Sequence, residues 1–153
     1  MSPGSRKVCL VGSLRAGKSA LWRALTGQES RVCGFSHAPL KDYPDVCLWD
    51  SQGGCSLDSL GQVFLGGAEA VLMAVAADMR SSGVEAARLM AAVRALCPQV
   101  RVGIALTRAD LGVGADVEVL AALAPVFSVV QARGPGLAEL ARFAANGAQA
   151  TSR

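Results

Sequence analysis

Eight consecutive residues, Gly12-Ser13-Leu14-Arg15-Ala16-Gly17-Lys18-Ser19, constrain this chain more than any other stretch. Two glycines bracket four residues, and a lysine and a hydroxyl follow. Gly12 and Gly17 allow backbone conformations closed to residues with a Cβ, so successive N–H groups can turn toward one point. Upstream, Lys7-Val8-Cys9-Leu10-Val11 has the length and β-branched content of a buried strand. Downstream, Leu21, Ala24 and Leu25 share one helical face. In that order, strand, glycine loop and helix, the loop amides and the positive end of the helix converge on a single anion.

The eight residues fit G-x-x-x-x-G-K-[ST], the phosphate-binding P-loop. Lys18 can reach the β- and γ-phosphates of a nucleotide, and the Ser19 hydroxyl can ligate Mg²⁺. A glycine-rich turn with an exposed lysine would share the pattern, but it would not need the strand before it or the helix after it.

Composition sets the bounds. The 153 residues predict one nucleotide-binding domain, large enough for a substantial core. With 52% hydrophobic and 18% charged residues, the chain does not have the composition of disorder. The net charge of +3 is spread along the sequence, and Arg6-Lys7 is an adjacent basic pair that a solvated strand entrance explains. Nucleic acid is not implied. The five cysteines show no C-x-x-C or other metal-ligand spacing, and their odd number suits a reducing cytosol. Val8 to Val11 is too short for a secretory signal core, and Ala70 to Ala77 falls far short of the ~20 residues a membrane span needs. The expectation is a cytoplasmic protein.

Along the chain, the first helix is expected to stop at Gly27, and residues 28–44 read as a long loop with at most one short edge strand near Leu40. Val46 to Trp49 reads as a strand ending at Asp50. Residues 56–66 read as a weak helix with Leu57, Leu60, Val63 and Phe64 inward. Ala70 to Ala76 reads as a buried strand. A helix capped by Ser81 or Ser82 runs to about Leu96, with Val84, Ala87, Met90 or Ala91, and Val93 facing the sheet. Val100 to Leu106 and Val126 to Val130 are further strands, separated by a short helix around Val117 to Leu123. Leu137, Leu140, Ala141 and Ala144 mark a last helix. Alternating strands and helices predict an α/β fold: three layers, with a mostly parallel sheet between helices.

In such sheets ligands bind beyond the carboxyl ends of the strands. Gly12–Ser19, Asp50–Gly53, Thr107–Asp110 and Gln131–Gly136 each follow the carboxyl end of an expected strand. Asp50-Ser51-Gln52-Gly53 fits D-x-x-G, in which the aspartate can hold Mg²⁺ and the Gly53 N–H can approach a γ-phosphate oxygen. The same residues are also ordinary turn chemistry. Thr107-Arg108-Ala109-Asp110 is similar to the [NT]-K-x-D guanine motif. A carboxylate at Asp110 can accept from both N1–H and the exocyclic amine of guanine. Adenine lacks that donor pair, and a carboxylate left unpaired supports discrimination of ~10⁴-fold. An N-cap aspartate after a strand is the plainer alternative.

The set G-S-L-R-A-G-K-S, D-S-Q-G, T-R-A-D and Q-A-R-G-P-G-L resembles the core of a small Ras-like P-loop GTPase. More narrowly, the chain resembles the ethanolamine- and propanediol-utilisation P-loop proteins (EutP/PduV-like), short members linked to bacterial microcompartments. The narrower likeness lies in the compact length, the K-V-C-L-V-G opening, the Ala24–Gln28 segment A-L-x-G-Q and the threonine that begins the base motif. The resemblance runs from Lys7 to about Ala144. It implies a P-loop NTPase of small-GTPase type that binds GTP or GDP with Mg²⁺, with a microcompartment shell or enzyme as partner. It puts Gly12 to Ser19 and Gly53 on phosphate, and Thr107, Arg108, Asp110 and the Ala132 backbone at the base. Ser19 and Asp50 go to the metal, and Ser36, in the long loop, is the nearest match to the switch threonine that completes Mg²⁺ coordination.

Two departures bear on mechanism. Ras-like enzymes often place a water-orienting glutamine immediately after D-x-x-G, where this chain has Gly54. Gln52 and His37 are the substitutes at hand, and Arg15 is a cation within the P-loop. Arg108 stands where lysine is usual, and the two are not interchangeable at stacked sites. Slow or partner-dependent hydrolysis is expected, with no catalytic residue assigned. Two alternatives keep the same residues: an ATP-dependent phosphotransferase acting on a small acid such as acetate, and a degenerate GTPase that serves as a docking module.

Overall fold

The computed structural model describes residues 6–12, 16–29, 35–51, 61, 63–108, 110, 117–129 and 135–146. The elements with described bounds run in the order β1 Arg6–Gly12, α1 Lys18–Thr26, β2 Phe35–Leu40, β3 Tyr43–Ser51, β4 Ala68–Ala76, α2 Ser82–Leu96, β5 Arg101–Thr107, α3 Val117–Leu123, β6 Val126–Val129 and α4 Pro135–Asn146, and residues 61 and 63–65 are helical as well. The strands form one sheet in the order β2-β3-β1-β4-β5-β6. All neighbours are parallel except β2 and β3.

Parallel strands buried on both faces need apolar residues at successive positions, and β4 supplies them, with Ala70 to Ala76 buried without interruption. On one face Val8, Leu10, Leu48 and Leu72 pack against Leu21, Trp22 and Leu25 of α1 and Leu140, Ala141 and Ala144 of α4. On the other, Cys9, Val11, Met73 and Ile104 pack against Ala86, Met90 and Val93 of α2 and Leu120 of α3. The outcome is three layers, a mostly parallel sheet between helices on both faces.

The structure corrects the sequence reading in three places. The short edge strand allowed near Leu40 is present but longer than expected, Phe35–Leu40, and β3 begins at Tyr43 rather than Val46, so much of the expected loop is strand. Ser36, Ala38 and Leu40 alternate inward at period two. Small and polar members disguise that pattern, and Pro39 is tolerated because β2 has a neighbour on one side only. In α2 the buried face is Ala86, Met90 and Val93, at i, i+4 and i+7, while Val84 is 60% exposed and Ala87 is exposed. Both candidate faces of this Ala-rich helix carry helical spacing, and packing against α3 and the sheet selects one. Val63 is 70% exposed, and Phe64 and Leu65 take the inward positions. Leu57 and Leu60 lie outside the described residues.

The order β2-β3-β1-β4 also sets where a ligand can bind. From β1 the chain returns to one side of it as β3, then crosses to the other side as β4. The crevice at such a reversal lies beyond the carboxyl end of β1, and Gly12 is its last residue.

Candidate functional site

Gly12 ends β1 where the chain runs hard against β4. A Cβ at this position would stand 2.9 Å from the Ala74 carbonyl oxygen and 3.2 Å from Cγ of Lys18. Gly17 sits in the left-handed region at φ 83°, immediately before α1, and accepts at its carbonyl the first helical bond, from Leu21 N–H at 3.1 Å. Both glycines are therefore required by geometry: one by close approach, the other by positive φ. Ala16 is buried, Lys18 is half-buried and Ser19 is exposed at the first turn of α1. Ser13, Leu14 and Arg15 lie outside the described residues.

Three motifs far apart in sequence meet at this end of the sheet. The Lys18 ammonium lies 3.2 Å from Oδ1 of Asp50, a carboxylate whose side chain is only 2% exposed. Asp50 is in turn the register partner of Ser36 across the antiparallel β2–β3 pair, and Ser36 is buried as well. Directly opposed residues put their side chains on the same face about 5 Å apart, which brings a hydroxyl and a carboxylate together beside Lys18. His37, next along β2, goes to the other face and stacks on Trp49 with centroids 4.7 Å apart, away from Ser36 and Asp50.

The base-motif segment joins from the opposite side. Thr107 is buried at the end of β5, and its hydroxyl donates to the Ala16 carbonyl oxygen at 2.8 Å, with the Val75 carbonyl oxygen also within reach at 3.2 Å. The Thr107 side chain is what a Cβ on Gly17 would meet, at 3.4 Å. Thr107 thus acts as a strut under the glycine loop, and its hydroxyl faces main-chain carbonyls. Arg108 follows with φ 57°, the one non-glycine residue with positive φ among those described. Its guanidinium Nε lies 3.4 Å from Oδ1 of Asp78, and Nη2 lies 3.7 Å from the Met79 sulfur. Asp110 is exposed on the same rim. Gly53, Gly54 and Ala132 lie outside the described residues.

The donor chemistry suits a hard cation. Hydroxyl and carboxylate oxygens of Ser19, Ser36 and Asp50 are ligand types for Mg²⁺, which commonly takes only one or two carboxylates and completes its shell with water and phosphate oxygens. Among the described residues there is no cluster of three or more His, Cys, Asp or Glu side chains that could hold a metal alone. With Lys18, the loop amides and the α1 amino terminus, the arrangement can hold a phosphate chain at one end of the sheet and present Asp110 farther along it.

Sequence reasoning missed Asp78. It lies two residues past the end of β4, so the same rule that singled out Asp50 and Asp110, an acid just past the carboxyl end of an expected strand, would have found it. A cavity of about 680 Å³ lies at the opposite end of the sheet, lined by Arg6, Glu69 and Arg101 at the amino ends of their strands. It shares no residue with the motifs. No described helix is long and apolar enough to cross a membrane.

No family model matches the sequence, and no curated protein matches it. Among the solved structures that match is the crystal structure of an NFeoB variant from S. thermophilus bound to GDP·AlF4⁻, with a TM-score of 0.72 at 20% identity. The match covers 93% of this chain and 64% of the other, so the chain spans a little under two thirds of that relative's length. The likeness shows the fold.

Proposed function

We propose that this chain is a P-loop nucleotide-binding domain that takes GTP or GDP with Mg²⁺ and hydrolyses GTP slowly. The observation that carries the reading is the meeting of three motifs on one rim: Lys18 on Asp50 at 3.2 Å and Thr107 on Ala16 at 2.8 Å. An isolated glycine turn would have no reason to be braced by both a D-x-x-G aspartate and a T-R-A-D threonine. The fold shared with NFeoB, which is bound to GDP·AlF4⁻ in its crystal structure, supports a guanine nucleotide.

In this reading the amides from Gly12 to Ser19 and of Gly53 hold the phosphates. Lys18 leaves Asp50 for the β- and γ-oxygens, and Ser19, Ser36 and Asp50 receive Mg²⁺. When bound, Mg²⁺ neutralises charge on the phosphate oxygens. Asp110 reads the guanine edge beside the Arg108 stem, and the Ala132 backbone closes the pocket. Hydrolysis is slow because Gly54 has no side chain with which to orient water, and His37 is turned to the opposite face against Trp49.

The test is titration of GTP, GDP and ATP, with and without Mg²⁺, against the wild type and Asp110→Ala. Guanine nucleotides should bind in preference to ATP, and the substitution should cost roughly 10²-fold or more in GDP affinity. Equal ATP binding that ignores Asp110 would turn the reading toward a phosphotransferase acting on a small acid. Absence of all binding would leave a docking module.

The narrower likeness to the EutP/PduV proteins carries a narrower proposal, association with a microcompartment shell or enzyme core. It rests on the K-V-C-L-V-G opening and the A-L-x-G-Q segment. Co-sedimentation with intact ethanolamine-utilisation compartments supports it, and a protein that stays in the supernatant at all nucleotide loadings removes it.

A further inference from the structure

Arg108 poses a problem for the site. It puts a permanent cation two residues before Asp110, the carboxylate that has to stay available for the guanine N1–H and amine. An arginine fork is the side chain best matched to a carboxylate, so an untethered Arg108 would compete with the base for Asp110.

The structure holds that cation elsewhere. The Ala77 N–H donates to the Thr107 carbonyl oxygen at 2.8 Å, fastening the end of β5 to the residue after β4. One step along both segments, Asp78 faces Arg108, with Nε and Oδ1 3.4 Å apart. Both atoms are buried and meet at ion-pair distance without hydrogen-bond alignment, so the attraction is chiefly Coulombic. Arg108 takes φ 57°, a conformation uncommon for a residue with a side chain. The Met79 sulfur, 3.7 Å from Nη2, lies against the same guanidinium. Asp110 is exposed, with no ion pair to any described residue.

We propose that Asp78 is a positioning residue for base recognition: it holds the Arg108 guanidinium at the β4 end of the rim and so keeps the Asp110 carboxylate open for guanine. The inference rests on the guanine reading above and deepens it by assigning the residue that protects its specificity. Asp78 touches no nucleotide in this scheme and acts only through Arg108.

The experiment titrates GDP and ADP in Mg²⁺ buffer against four proteins: wild type, Asp78→Asn, Asp78→Glu and the double variant Asp78→Asn with Arg108→Met. Asp78→Asn keeps the shape and removes the counter-charge. GDP should bind roughly tenfold more weakly, about 1.4 kcal/mol, while ADP affinity stays where it was. Asp78→Glu should retain most of the GDP affinity. The double variant, which keeps an apolar stem at 108 without its charge, should recover GDP affinity relative to Asp78→Asn alone. Equal losses for GDP and ADP in Asp78→Asn would mean ordinary structural damage and overturn the inference. So would a double variant no better than the single one. Wild-type protein that binds GDP and ADP alike would fail the guanine reading itself, before any variant is considered.

Discussion

The Thr107 hydroxyl donates to the carbonyl oxygen of Ala16, 2.8 Å away, across 91 positions of sequence. That single bond ties the glycine loop to the end of β5, and both partners are buried. Thr107→Val keeps the shape and deletes the donor, leaving a buried carbonyl without it. We expect a loss of about 1–3 kcal/mol in urea unfolding. In the proposed reading the loop carries the phosphate site, so affinity for GTP and ATP should fall together. A fall for GTP alone would place Thr107 at the base.

Lys18 and Asp50 should respond differently to removal. Lys18→Ala takes the ammonium from a carboxylate that is 2% exposed, while Lys18 itself is 16% exposed and can turn its head to water. The alanine variant should lose roughly 1–3 kcal/mol of stability. Asp50→Asn removes a buried charge at nearly constant volume, and should hold stability within about 1 kcal/mol or raise it. Both should abolish Mg²⁺-dependent nucleotide binding, so calorimetry paired with thermal melting separates site chemistry from fold. Equal destabilisation by the two substitutions would contradict the asymmetry in burial.

Gly12 and Gly17 fail for different reasons when a methyl is added. Gly12→Ala drives a Cβ to 2.9 Å from the Ala74 carbonyl oxygen, a backbone atom that cannot step aside. Gly17→Ala meets only the Thr107 side chain at 3.4 Å, an ordinary contact, but must hold φ 83°. The left-handed penalty is about 1–2 kcal/mol. Gly12→Ala should exceed it, and denaturation midpoints should rank Gly12→Ala below Gly17→Ala.

Alkali should destabilise the protein through Cys9. Desolvation pushes this thiol up from 9.0 to about 12, with Lys7 opposing and Cys97 adding a little. In the unfolded chain the thiol ionises near 9, so between pH 9 and about 12 the unfolded state binds fewer protons than the native one. Stability is therefore full below pH 9 and declines as pH rises through that window. Cys9→Ala should flatten the decline measured by chemical denaturation at stepped pH. Thiol reagents at neutral pH should modify Cys97, which is partly exposed, before Cys9.

Much of the site was legible in the chain because its residues are defined by covalent neighbours. The strand before Gly12 and the helix from Lys18 are local facts, and the structure has both, while Asp50, expected just past a strand, falls inside β3 one residue before its end. Strand β2 was harder. Its alternation runs through Ser36, Ala38 and Leu40, and only the last is strongly apolar. The face of α2 was harder still, since alanines at several spacings leave more than one stripe consistent with burial.

The sequence by itself determined the α/β alternation, the glycine loop and the set of acids and hydroxyls that follow strands. Those features depend on residue type and spacing over a few positions. Only the tertiary structure decided what those residues touch. It turned Thr107 toward Ala16, set Ser36 opposite Asp50 and sent Arg108 to Asp78. Each pairing depends on which strands lie side by side and in what register. That order is settled by burying both faces of one sheet at once, which no local stretch of sequence encodes.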